Sequence, residues 1–224
     1  MITSRHNAKL RLVRRLRSRR YRAETGLFAC EGEDLVAAAR EVGVEPVELL
    51  VAGENVLPSL VADVSTLPHP ARVIAVYRRS DLPAGVRPLT LALWRVADPG
   101  NVGTLLRTAD AFGAGMELSV GCADPLGARA LRASAGAIFR VPLLGWEERP
   151  GPRIALVAHG GRALQELDAV PPLTFVLGAE REGLPDDVAA ACDERASIPL
   201  PGAAESLNVA AAGAIALYEL ARRA

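Results

Sequence analysis

Short apolar runs that break into glycine and polar residues, each followed by helical periodicity, constrain this chain more than any other feature. Residues 89–94 (LTLALW) run into 98–103 (DPGNVG) and then a helical stretch at 104–113. Residues 153–159 run into Gly160 and Gly161, and residues 173–177 (LTFVL) run into 178–184 (GAEREGL). A near-continuous apolar run is what a strand covered on both faces requires, so these runs predict a parallel sheet with helical crossovers. Further strands are expected at 116–120 and 139–144, with a helix at 126–137. In a doubly wound α/β sheet of this kind ligands gather at the carboxyl ends of strands.

The C-terminal stretch closes the series. Residues 198–200 are a short apolar piece broken by Pro199 and Pro201 and read as the last strand. A polar turn follows at 202–205, and Ser206 is placed at the start of a long alanine-rich helix, its hydroxyl accepting from the free N–H groups of the first turn. Gly213 inside that helix costs about 1 kcal/mol against alanine, which predicts another element packed close to it.

Residues 1–80 alternate differently. Strands are expected at 27–30, 47–51 and 72–77, and helices at 8–22, 35–40 (capped by Asp34) and 55–63, enough for a small three-layer α/β unit. Residues 81–88, with Pro83, Gly85 and Pro88, read as the linker to a second unit at 89–224. The zero net charge hides an asymmetry. Residues 1–24 hold nine basic residues and one acid, for +8, and the rest holds 17 basic and 25 acidic residues, for −8. A basic arm on an acidic body points to a polyanion, and arginine forks suit phosphate; a solvated helix face is the alternative.

Several classes are excluded. No apolar run reaches the roughly 18 residues of a membrane span, and no apolar stretch follows the basic start, so no secretory leader is expected. Cys30, Cys122 and Cys192 lie far apart without metal spacing and read as reduced thiols of a cytoplasmic protein. Lys9 is the sole lysine, so there is no P-loop, and Gly100 to Gly103 lacks the dinucleotide spacing. His6, His69 and His159 lack any triad context and read as structural or solvated.

Three loops carry the specific signal. Residues 98–113 resemble motif 1 of the SpoU/TrmH family of RNA 2′-O-methyltransferases, 177–184 resemble motif 2, and 198–219 resemble motif 3, in family order. Residues 24–28 (ETGLF) and 31–33 (EGE) are similar to the family's small substrate-binding domain of ribosomal-protein-like fold. The resemblance implies a SPOUT-type catalytic domain with a deep trefoil knot, S-adenosylmethionine as cofactor, a homodimer with each active site near the subunit interface, and no metal. It implies 2′-O-methylation of RNA, with 23S ribosomal RNA first; tRNA, or a non-catalytic RNA-binding protein of the same fold, are the alternatives.

Residue by residue, the resemblance makes Arg107, Asn101 and Glu180 the catalytic set. An arginine has a pKa above 12, so phosphate binding and electrostatic stabilisation by Arg107 are favoured over free-base chemistry; an ion pair to Asp110 is the alternative. Leu177, Gly178, Ile198, Leu200, Leu207 and Asn208 match cofactor-holding positions. Asn101, Arg107 and Ser206, with Arg11, Arg15 and Arg19 of the basic arm, are the candidate RNA contacts. Arg181 stands where the family often has glycine, which adds a cation to motif 2.

Overall fold

The computed structural model describes residues 1–146 and 151–223. The N-terminal part begins with helices α1 (Ala8–Arg15) and α2 (Arg19–Thr25), then β1 (Leu27–Glu31), α3 (Glu33–Glu41), β2 (Glu48–Val51), α4 (Pro58–Val64) and β3 (Val73–Arg78). After a 3-10 turn come β4 (Leu89–Leu93), α5 (Pro99–Ala111), β5 (Gly115–Leu118), α6 (Ala128–Ser134), β6 (Leu143–Gly145), β7 (Arg153–Leu156), β8 (Arg162–Ala163), β9 (Leu173–Leu177), α7 (Asp186–Ala190), β10 (Glu194–Ser197) and α8 (Val209–Ala221).

The first sheet has order β1-β3-β2 and is antiparallel throughout. Its two faces bury different residues, as the period of two along a strand requires. Ile74 and Val76 face a cluster with Leu10, Val13, Val61 and Val64 from α1 and α4. Ala75 and Tyr77, with Phe28 and Cys30, join the core of the second sheet. The Tyr77 ring meets Phe139 edge-on at 5.0 Å. One apolar core therefore runs through the junction. Arg22 reinforces it: 8% exposed, it reaches Asp124 at 2.6 Å and donates to the carbonyls of Leu16 and Arg17. This arginine of the basic arm is a junction residue. Others are also paired within the fold, Arg14 with Asp63 and Lys9 with Glu48. Arg11 lies exposed, Arg15 stacks over Tyr21 at 3.9 Å, and Arg19 donates to the Cys122 carbonyl.

The second sheet is parallel, with order β6-β5-β4-β9-β7-β10-β8. Leu91, Leu105, Phe175, Leu177 and Leu217 share its core. A Cβ at Gly213 would lie 2.5 Å from Leu105 Cδ2, so α8 meets α5 at the glycine, as its unfavourable propensity predicts. On the other register positions Thr90, Glu117, Thr174 and Arg153 are buried, with Arg153 and Glu117 ion-paired at 3.2 Å.

Several boundaries differ from expectation, each for a local reason. The helix expected at 8–22 is two, because the Ser18 hydroxyl accepts from Tyr21 N–H and restarts the chain. The turn expected at 98–103 is the first turn of α5: the Asp98 carboxylate accepts from Asn101 N–H and Pro99 occupies the first position. Helix 126–137 shortens to α6, since Ala135 and Gly136 are left-handed, and the strand at 139–144 shrinks to β6. The last strand is β10, upstream of 198–200, because Pro199 and Pro201 lack the N–H a ladder needs. Ser206 does not cap the final helix. Asn208 does, accepting from the N–H groups of Ala210 and Ala211.

Candidate active site

Three loops leave the carboxyl ends of β4, its neighbour β9, and β10, which lies beyond β7 on the far side of β9. The first carries Asp98 and Asn101 into α5. The second is a tight turn in which Ala179 N–H donates to the Gly183 carbonyl at 3.1 Å, and Gly183 N–H returns to Ala179 at 2.9 Å. A Cβ at Gly178 would fall 2.1 Å from the Gly183 carbonyl carbon and 2.3 Å from Leu184 N, so only glycine lets the turn fold back onto the strand end. The third, residues 198–208, is shaped by its prolines and delivers Asn208 to the start of α8.

Side-chain hydrogen bonds tie the loops together. Asn101 Nδ2 donates to Glu180 Oε1 at 3.0 Å, and Asn208 Nδ2 donates to Asn101 Oδ1 at 3.1 Å. Because the Asn208 oxygen accepts from the α8 backbone, a directed chain runs from helix N–H groups through two amides to a carboxylate. Glu180 also accepts from the N–H groups of Ala97 and Asp98. Burial pushes its pKa up, but the Asn101 amide and these backbone donors outweigh it and hold the carboxyl below its ordinary range. Glu180 is therefore ionised at neutral pH and fixes motif 1 to motif 2.

Next to this chain lies a cavity of about 320 Å³ lined by Leu177, Gly178, Glu180, Ile198, Leu200 and Leu207, together with Ser206, Arg181, Glu182 and Glu205. The volume is within the range of small-molecule sites, about 300–1,000 Å³. Leu156, Val157, Ala158 and His159, at the carboxyl end of β7, also line it. His159 is thus a site residue that the sequence reading placed as structural or solvated; its position at a strand's carboxyl end was the signal for it. A roomier hollow of about 540 Å³ lies between Val42, Arg87, Gly113 and Val141, at the amino ends of β4, β5 and β6, and meets none of the three loops.

Arg107 stands apart from the cavity. It is exposed on α5 and, among the described residues, has no hydrogen bond or ion pair. The alternative ion pair is not formed, because Asp110 is held by Arg140 at 2.8 Å. Arg11, Arg15 and Arg19 lie on α1 and α2, away from the cavity lining. No group of three or more His, Cys, Asp or Glu among the described residues is arranged to hold a metal ion.

Known proteins resemble this chain in sequence and fold. Residues 88–218 match the SpoU rRNA methylase family and residues 7–80 the MRM3-like substrate binding domain. The chain is 30% identical to the 23S rRNA (guanosine(2553)-2'-O)-methyltransferase RlmP of Bacillus subtilis, over 98% of both chains. It is 38% identical to an uncharacterized tRNA/rRNA methyltransferase of Mycobacterium tuberculosis over 60% of this chain, where it spans only 45% of that protein's length. The AdoMet-bound rRNA methyltransferase of Sinorhizobium meliloti superposes with a TM-score of 0.85 at 28% identity, over 99% of this chain and 97% of the other. With its catalytic unit matched from β4 into α8, the chain belongs to the SpoU rRNA methylase family.

Proposed function

We propose that this protein transfers a methyl group from S-adenosylmethionine to a ribose 2′-hydroxyl of RNA, with 23S ribosomal RNA as substrate and a cytoplasmic location. The observation that carries this reading is the Glu180–Asn101–Asn208 chain, which draws all three motif loops to the rim of one cavity. The full-length similarity to RlmP supports the choice of RNA.

The lining suits the cofactor. Leu177, Ile198, Leu200 and Leu207 give it apolar walls, and Gly178 leaves backbone bare at the strand end. Glu180, Glu182 and Glu205 against Arg181 give the lining an excess of negative charge, favourable to a cation. When bound, S-adenosylmethionine supplies an electrophilic methyl group on a sulfonium. The chain's own residues have the other tasks. The motif loops hold the cavity in shape, Asn101 and Ser206 are assigned to RNA contact, and Arg107 to the phosphate beside the reacting ribose. The passage of residues 198–208 from β10 back past β7 and β9 to Asn101 supports the trefoil knot that the family resemblance implies.

Arg107 lies outside its own chain's cavity, which favours a homodimer in which it serves the partner's site. Ala211, Ile215 and Tyr218 form an exposed stripe at i, i+4 and i+7 on α8, with Ile215 38% and Tyr218 60% exposed. This apolar face suits a second copy of the chain, and burying a carboxylate there is unfavourable. Light scattering is expected to give a dimer mass for the native protein and a monomer mass for Ile215→Glu, with methyl transfer lost in the variant. The function itself is tested with purified protein: calorimetric titration with S-adenosylmethionine, then mapping of 2′-O-methyl sites on unmodified 23S rRNA. Absence of binding heat and of methyl transfer would remove the enzymatic reading in favour of RNA binding alone.

A further inference from the structure

Arg95 occupies a backbone conformation that an arginine adopts at a disadvantage. Its φ is 52°, in the left-handed region where Cβ crowds the following carbonyl and glycine is favoured. It sits at the carboxyl end of β4, three residues before Asp98. Its N–H donates to Ser119 Oγ, which holds the turn whatever the side chain. The guanidinium is exposed and, among the described residues, has no carboxylate or carbonyl partner. Among the described residues no polar partner accounts for arginine here in place of glycine.

The surroundings point outward. A Cβ at Gly121 would lie 3.2 Å from Arg95 Cγ and 3.4 Å from Nε, so the arginine stem lies flat along that glycine. The preceding residue, Val120, is 94% exposed, the most exposed large apolar side chain among the described residues. One residue beyond Gly121, the Cys122 carbonyl accepts from Arg19 Nη1 of α2. On the other side, Asp98 pairs with Arg129 at 3.1 Å, and its N–H donates to Glu180 at the cavity rim. Arg95 thus fills the interval between the basic N-terminal arm and the motif loops.

We propose that Arg95 is an RNA phosphate-binding residue that positions the strand between the arm and the methyl-transfer cavity, with Val120 packing against the same nucleotide. The proposal rests on the RNA methyltransferase reading above. A planar guanidinium on a rigid turn loses little freedom when it engages a phosphate. An exposed apolar residue beside it suits the face of an unstacked base or sugar.

Arg95→Gly is the informative variant, because it relieves the backbone while removing the cation. Filter binding to a protein-free 23S rRNA transcript, repeated over about 50–200 mM salt, reads the contact directly. The expected result is a several-fold weaker Kd and a slope of log K against log salt shallower by about 0.7–0.9, one phosphate's share. KM for RNA rises while kcat at saturating RNA and S-adenosylmethionine affinity stay at the native level. The melting temperature is unchanged or higher, which a structural role for the side chain would not give. Arg95→Lys retains the salt slope. Native Kd and slope in Arg95→Gly, or a lowered melting temperature that accounts for the RNA loss, would overturn the proposal. Failure of the underlying reading is distinct: the native protein itself would then give no S-adenosylmethionine binding and no methyl transfer.

Discussion

Arg107→Ala is expected to lower the rate of methyl transfer by about 10²–10³-fold, the usual loss when a preorganised electrostatic contact to a reacting centre is removed. S-adenosylmethionine affinity should be unchanged, since Arg107 contributes nothing to the cavity lining. Folding should be unchanged too: the side chain is exposed and among the described residues supports no other group, with Asp110 already engaged by Arg140. The effect therefore isolates function. Arg107→Lys separates the two roles open to the residue. A phosphate clamp tolerates a second cation in part, losing mainly RNA KM. A base would show a pH profile that shifts toward the lower pKa of lysine. Single-turnover transfer to 23S rRNA measures both. Native turnover in Arg107→Ala would withdraw the residue from the site.

The same arginine marks how far the sequence could be read. Strand ends were legible because buried parallel strands are apolar along their whole length: 173–177 was expected as a strand and is β9, and 89–94 differs from β4 by one residue. Turn chemistry was harder. Asp98, Ser18 and Asn208 are each caps that the pattern left in a loop or inside a helix, because a capping side chain is identified by which N–H it accepts, and several polar residues compete in each stretch. Ser206 is the expected cap, yet Asn208 takes the role, a residue type equally able to cap a helix; the path of residues 198–208 around Pro199 and Pro201 decides between them. The cavity lining from Leu177, Gly178, Ile198, Leu200 and Leu207 followed from family motifs. His159 did not, since its strand end carries no motif. The basic arm was legible as charge but not as contacts. Arg22, Arg14 and Lys9 found acids within the fold, and pairing between distant positions leaves no trace in composition. Arg95 was unreadable for a related reason, since a positive φ belongs to the folded backbone.

Gly178→Ala is the second large effect expected, this time on cofactor affinity. The added methyl would meet the Gly183 carbonyl carbon at 2.1 Å, Leu184 N at 2.3 Å and the Gly183 oxygen at 2.4 Å. All three are backbone atoms, so no rotamer change makes room, and the 178–184 turn must open. Overpacking of this kind costs about 1–3 kcal/mol. Glu180 is carried on the same turn, so its hydrogen bonds from Asn101, Ala97 and Asp98 would be stretched together. With tenfold in affinity per 1.4 kcal/mol, S-adenosylmethionine binding should weaken by roughly 5–140-fold, most of it as an unfavourable change in binding rather than in fold, because the turn lies at the surface of the sheet. Gly202→Ala is the matched control: a Cβ there has nothing within 4 Å, and affinity should stay at the native level. Calorimetry on the two variants side by side decides the matter. Equal affinities would mean that the turn on Gly178 does not shape the cofactor site, and the cavity beside the Glu180–Asn101–Asn208 chain would lose its assignment.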